Sequence, residues 1–440
     1  MQTRTRLAIF AVWSIAVVAY FFLKAPISMH ADWTHDDLMN CYRALETPWS
    51  RHFGDIAFFW RQSDLFRPMG ELLYKIGFDL YGFNVWPWRL FVSLLLILNA
   101  FILGHVAMRL SGSLAFGLAT AAIAAFHTHW MQLYVNTGTI FEILAFTFTY
   151  LGLAIYIEFH HKPWVLYVTA LIYVLGLDSK ESAVVLPVLL VLYDLLWHRK
   201  LDWKLLALFG LISCGFIFGR VLGPKGISSI GMYKPQYSMS AYAKSFEHYF
   251  RFLLISPSMP LWLCLVAALS PLLLRNRMAI FASLVFPIGI LPLAFVPERG
   301  LDGVYVASAG LALSLPCLLL LIKNERIQLA GSALLFAAVG FWMPARTGFD
   351  GLEREYTEIR SFHEQLKPLA PSIPHGAQIR FLKEPFPEEF TWASVFATRL
   401  VYRDTTIEAI GSHHPNRDKY DAELDFARFD WQDGKMIRLK

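Results

Sequence analysis

Asp36 and Asp37 stand side by side in the run Asp32-Trp-Thr-His-Asp-Asp, about a dozen residues after the first apolar stretch. Two adjacent carboxylates repel, so such a pair raises one proton affinity or recruits a divalent cation; the plain alternative is a solvated pair capping a helix. Asp178-Ser-Lys180-Glu181 forms a compact charged turn between two apolar runs, where a lysine can hold a phosphate as a point charge, or simply make a local ion pair. Glu142 sits a few residues inside another apolar run, and an acid there is a functional candidate by default. His127 and His129 are placed to ligate metal, bind phosphate or serve as satisfied structural histidines. Glu298-Arg299, with Tyr305 beyond, begins a further apolar run and adds a cation and a phenol.

The elements that must position these groups are membrane helices. Of 440 residues, 56% are hydrophobic and only 17% charged, too apolar for an ordinary water-soluble domain. Runs near the length that crosses a ~30 Å hydrocarbon core recur from Leu7 to Met343 and then stop. They predict an all-α polytopic membrane protein of about eleven transmembrane helices, near residues 7–23, 86–108, 114–135, 139–158, 164–177, 183–197, 204–222, 249–274, 278–296, 304–322 and 327–343. Residues 1–24 resemble a signal peptide in their basic start, but no small-x-small cleavage site follows Phe22-Leu23-Lys24, so they are read as an uncleaved first span.

The net charge of +5 does not point to nucleic acid, because the basic residues are spread over short loops rather than gathered in one patch. Every second short loop is basic: Arg4 and Arg6, Arg109, Lys162, Arg199 with Lys200 and Lys204, Arg275 with Arg277, and Lys323 with Arg326. These are assigned to the cytoplasm. The first loop (residues 24–85), the Asn136–Thr139 turn, the Asp178–Glu181 turn, residues 223–247, the Pro297–Gly303 stretch and the tail then share the outer side. Within the first loop, Leu38, Tyr42 and Leu45, and again Leu72, Leu73, Ile76 and Leu80, recur at helical spacing and predict two interfacial amphipathic helices. Residues 344–440 are expected to form a separate, water-exposed α/β unit: a charged helix from about Leu352 to Leu366, a strand over Gln378–Leu382 and a hairpin about Asp433-Gly434. Cys214, Cys264 and Cys317 lie in apolar runs, leaving no disulfide framework.

Taken in order, these fragments resemble the GT-C class of polyprenyl-phosphate-sugar-dependent membrane glycosyltransferases, especially bacterial relatives of protein O-mannosyltransferases. The resemblance runs from the first helix to about residue 322. Asp36-Asp37 stands where that class carries its first-loop catalytic acid, Phe66-Arg67-Pro68 is similar to its Arg-Pro segment, and Asp178-Ser-Lys-Glu-Ser-Ala-Val-Val-Leu-Pro is similar to its Ser-Lys-Glu stretch. Glu298-Arg299 with Val304-Tyr305 to Gly310 resembles a later Arg-Tyr motif. The chain departs from the pattern at Gln132, Ile140 and Arg89, where relatives carry an acid, an arginine and a histidine.

What the resemblance implies is transfer of a sugar from a polyprenyl-phosphate donor to an acceptor hydroxyl on a protein, glycolipid or polysaccharide, at the outer face of a bacterial inner membrane, with inversion. Asp36 is then the candidate base, with Asp37 orienting it or binding a divalent cation. Lys180, Arg299 and Arg67 are the candidate phosphate ligands, with Glu181, Glu142, His127 and Tyr305 in support. The competing readings are a multi-pass transporter or lipid flippase, whose polar groups belong near the midplane rather than at the helix ends, and a non-catalytic scaffold in which Asp36 is dispensable.

Overall fold

In hydrocarbon every peptide N–H and C=O must find its partner within the chain, so long apolar runs that are not barrel strands fold as helices. The computed structural model describes residues 3–24, 29, 31–61, 67–126, 133, 135–223, 226, 234–254, 270–296, 300–342, 350–415 and 417–440. Helix occupies the described part of each expected span. Five segments are long and apolar enough to cross a membrane: Trp86–Ser111, Thr137–Phe159, Glu181–His198, Trp203–Val221 and Arg277–Ala294. Four more, Leu7–Leu23, Leu114–Phe126, Val165–Ser179 and Tyr305–Leu321, are apolar but shorter. The chain is therefore membrane-embedded, and among the described residues five of the expected spans reach that length. One shortening has a visible cause: the 15 residues of Val165–Ser179 rise only about 22 Å. That helix stops where Lys180 turns extended, at φ −163°.

Numbered in chain order, the helices begin with α1 (Thr3–Lys24), then α2 (His35–Glu46), α3 (Trp49–Ala57) and α4 (Pro68–Tyr81) of the first loop. The bundle continues with α5 (Trp86–Ser111), α6 (Leu114–Phe126), α7 (Ile140–Phe159), α8 (Val165–Ser179), α9 (Leu186–Tyr193) and α10 (Trp203–Phe216). It ends with α11 (Met239–Leu254), α12 (Arg277–Gly289), α13 (Leu291–Ala294), α14 (Tyr305–Ser314) and α15 (Glu325–Trp342).

With no hydrophobic drive between helices in lipid, close packing and interhelical hydrogen bonds hold the bundle. Asn99 donates to the Ile143 carbonyl (3.1 Å) and accepts from Thr147 Oγ1 (2.7 Å), while the Tyr150 hydroxyl donates to the Val306 carbonyl (2.7 Å). Between α12 and α14 the backbones nearly touch. A Cβ on Gly310 would lie 2.3 Å from the Phe286 nitrogen, and one on Gly289 2.5 Å from the Ala307 Cα. Gly310→Leu is expected to separate these helices and cost about 3 kcal/mol, read as a lowered thermal midpoint of the detergent-solubilised chain.

The tail begins its described part with α16 (Asp350–Leu369), followed by β1 (Gln378–Phe381), α17 (Ala393–Tyr402), β2 (Glu408–Ile410), β3 (Asp425–Gln432) and β4 (Lys435–Arg438). The sheet order is β2-β1-β3-β4, with β1 parallel to both neighbours and β3–β4 antiparallel. Asp433 and Gly434, at φ 48° and 77°, make the tight hairpin turn that requires two positive φ values.

This unit packs on the first loop. Arg360 pairs with Asp32 (2.6 Å), the ring nitrogens of His35 lie 3.5 and 3.4 Å from Glu355 and Glu358, and Tyr42 stacks on Phe396 at 4.5 Å. Arg399 donates to the Tyr42 hydroxyl (2.8 Å) and Arg403 to the Phe78 carbonyl (2.7 Å). The tail thus roofs the first loop, which holds three helices rather than the two expected.

Candidate functional site

The local sequence decides how the two adjacent aspartates part company. Thr34 is the N-cap of α2 and Asp37 its third residue, so the pair closes a capping box: the Asp37 carboxylate accepts from the Thr34 N–H and Oγ1 (both 2.8 Å). Its other oxygen accepts from the Tyr74 hydroxyl at 2.5 Å, and the side chain is fully buried. Asp36, one residue earlier, is exposed. At helical spacing Asp36, Met39, Asn40 and Arg43 form one stripe of α2 facing a common cavity.

Opposite, Pro68 starts α4 at a position that needs no N–H. Arg67 caps that helix and Glu71 follows one turn later, both lining the same space. Gly70 lets α4 approach α7: a Cβ there would sit 2.2 Å from the Phe141 ring, over which the Arg67 guanidinium lies at 5.5 Å.

The cavity encloses about 950 Å³. Its polar wall is drawn from α2, α4, the Asn136–Thr139 turn, the first turn of α7 and the Lys180–Glu181 turn. Among the described residues its other wall is apolar, built from Phe216, Ile217, Val221 and Leu222 and from Leu291, Pro292, Leu293, Phe295 and Val296. Lys180 is in direct ion-pair contact with Glu142, and Arg67 Nη2 reaches both Glu181 oxygens at 3.0 and 3.2 Å. Asp178 turns away, buried against Arg220 at 3.3 Å. The described wall carries four carboxyl groups (Asp36, Glu71, Glu142, Glu181) and three cations (Arg43, Arg67, Lys180), close to balance. Outside this cavity, Arg109 Nε pairs with Glu158 at 2.7 Å and the His160 ring lies tilted against His198 at 4.4 Å.

Burial is the main force on two loop acids. It pushes the Asp37 carboxyl up to about 6 against the pull of Tyr74 and Thr34, and the Glu71 carboxyl up to about 7 against Arg43 and Arg67. A carboxyl whose folded-state pKa is raised binds its proton more tightly in the folded chain, so it stabilises at low pH and loses that contribution as pH rises through the interval. For Glu71 the interval runs from 4.5 to about 7, corresponding to about 3 kcal/mol. Wild-type stability is therefore expected to fall relative to Glu71→Gln between about pH 4.5 and 7, measured as the difference in thermal midpoints; contributions from Asp37 and His52 cancel in that difference.

Asp36, Arg67, Glu142, Lys180 and Glu181 all line this one cavity. Asp37 does not line it and braces the first turn of α2 instead, its Oδ1 3.9 Å from where a Cβ on Gly138 would stand. Tyr305 is buried in the bundle, stacked on Phe146 at 4.3 Å, away from the polar wall. His127 and Arg299 lie outside the described residues, as do His129, Glu298 and Phe66. Among the described residues no group of three or more His, Cys, Asp or Glu side chains forms a metal cluster, and with Asp37 occupied by its capping donors the aspartate pair does not fit a cation between its carboxylates.

Sequence reasoning passed over Glu71 and Arg43, and marked Arg89 only as a departure from the resembled pattern. Arg89 is buried and donates to the Ala31 and Asp32 carbonyls (3.3 and 2.8 Å), fixing the strand of chain that leads into α2. The Thr34-x-x-Asp37 capping pattern and the four-residue spacing of Arg67 and Glu71 were signals for the burial of Asp37 and the placement of Glu71. No protein-family model matches the chain, and no curated protein matches it.

Proposed function

We propose that the chain is a membrane glycosyltransferase that moves a sugar from a polyprenyl-phosphate donor to an acceptor hydroxyl. The observation that carries this reading is the cavity with one charged and one apolar wall, whose polar residues come from segments scattered between positions 36 and 181. A lipid-linked phosphate sugar has that same division: an apolar chain, an anion and a hydroxyl-rich ring. In this reading the cavity faces the extracytoplasmic side of a bacterial inner membrane, as the alternation of basic loops indicates.

Asp36 accepts the proton of the acceptor hydroxyl as the acceptor oxygen bonds to the anomeric carbon. The bond from that carbon to the phosphate oxygen breaks, and the lipid phosphate leaves with the bonding pair. Arg67 and Lys180 stabilise the charge gathering on the departing phosphate. Each cation is already held by a carboxylate, which keeps it aimed into the cavity; the donor phosphate shares it rather than meeting a disordered side chain. Arg299 and His127 belong to the same proposal as further phosphate-side groups.

A single displacement inverts the anomeric centre. The test is transfer from a polyprenyl-phosphate sugar by the chain reconstituted in liposomes, offered peptide, glycolipid and polysaccharide acceptors, with linkage analysis of the product. Inverted product supports the reading. Retained configuration overturns the single displacement, and substrate-linked ion flux without transfer would place the chain among transporters.

A further inference from the structure

Within the cavity Glu71 differs from the other acids. Its side chain is 3% exposed, its Oε1 lies 3.9 Å from Arg43 Nη1, beyond hydrogen-bond reach, and its Oε2 is buried with no hydrogen-bond partner among the described residues. A buried acceptor left unsatisfied is costly. What would satisfy it is a donor.

We propose that Glu71, with Asn40 and Arg43 beside it, is the subsite that receives the hydroxyl groups of the transferred sugar; this rests on the glycosyltransferase reading above. Chemistry separates this subsite from the phosphate. The ionised Glu71 carboxylate repels a phosphate anion, whereas in either protonation state it keeps an acceptor oxygen for a sugar hydroxyl, which in turn accepts from the Arg43 guanidinium or the Asn40 amide. Geometry agrees. Glu71 follows Arg67 by four residues on α4, and Asn40 follows Asp36 by four on α2, so on each helix one turn of about 6 Å separates the polyol-binding group from the phosphate-side cation or the base. The ring is thereby placed beside the phosphate contacts and within the span of the stripe that ends in Asp36. Glu142, the other wall acid with an unpartnered buried oxygen, is already committed to Lys180 and so belongs to the phosphate side.

The experiment measures binding to the purified full chain in nanodiscs, comparing a polyprenyl phosphate with the same lipid carrying each of a panel of hexoses and pentoses. The wild-type chain is expected to bind at least one sugar-bearing lipid about ten- to a hundredfold more tightly than the bare lipid phosphate. Glu71→Ala is expected to erase that preference while leaving the Kd for the bare lipid phosphate unchanged, and Glu71→Gln, which keeps an acceptor oxygen, to restore part of it. An unchanged Kd for the bare lipid also shows that the variant is folded. If wild type prefers no sugar-bearing lipid, or if Glu71→Ala keeps the preference, the subsite is wrong while the donor-binding reading stands. If wild type binds neither kind of lipid, both fall. Should the two Glu71 variants lose affinity for both lipids alike, Glu71 is a structural residue and the proposal is overturned.

Discussion

Asp36→Asn is expected to lower sugar transfer by about 10²- to 10⁴-fold, the range for loss of a positioned general base, with little change in the Kd for the donor. The asparagine keeps the size of the side chain at an exposed position of α2, so stability should hardly move, and the loss should appear in kcat. Asp37→Asn should behave differently. That carboxylate holds the N-terminus of α2 through two bonds from Thr34 and one from Tyr74, so its replacement lowers the thermal midpoint and activity together. Assays of both variants at matched folded fraction separate the roles. Equal kcat in Asp36→Asn and wild type would remove Asp36 as the base.

The second large effect is at Lys180. Removing a cation that faces developing phosphate charge costs roughly 10²- to 10³-fold in rate, but Lys180→Ala alone also strips Glu142 of its partner in a buried setting. An uncompensated buried charge costs about 3–5 kcal/mol, enough to confound the assay. The double variant Glu142→Gln, Lys180→Met leaves a neutral pair of similar volume. It is expected to recover most of the stability lost by Lys180→Ala and to recover none of the transfer. Recovery of transfer along with stability would mean that the pair serves packing alone.

Much of this architecture was legible before any coordinates. Apolar run length announced the bundle, and the Asp-Gly turn announced the hairpin, because both are local. The gathering of Asp36, Arg67, Glu142, Lys180 and Glu181 was legible only through the charge alternation of the loops, which assigns sides but not neighbours. Which acid grips which cation was not: Arg67–Glu181 and Lys180–Glu142 join residues 114 and 38 positions apart, and no local pattern specifies such pairs. The three-residue strand Glu408–Ile410 is too short to show a period of two. The burial of Asp37 was written in Thr34-x-x-Asp37, yet the adjacent acids draw the eye toward a shared role that the capping box divides.

The roof formed by the tail has a consequence for how the molecule is made. Asp32, His35 and Tyr42 precede their partners Arg360, Glu355, Glu358 and Phe396 by more than 300 residues. During synthesis the loop that carries Asp36 is made early and stays without this covering until residues 350–403 have followed it. A chain halted after its last apolar run would carry every cavity residue described here and still lack the clamp that holds α2 in place. The roof therefore delays a fully braced loop until its partners between Glu355 and Arg403 have been made.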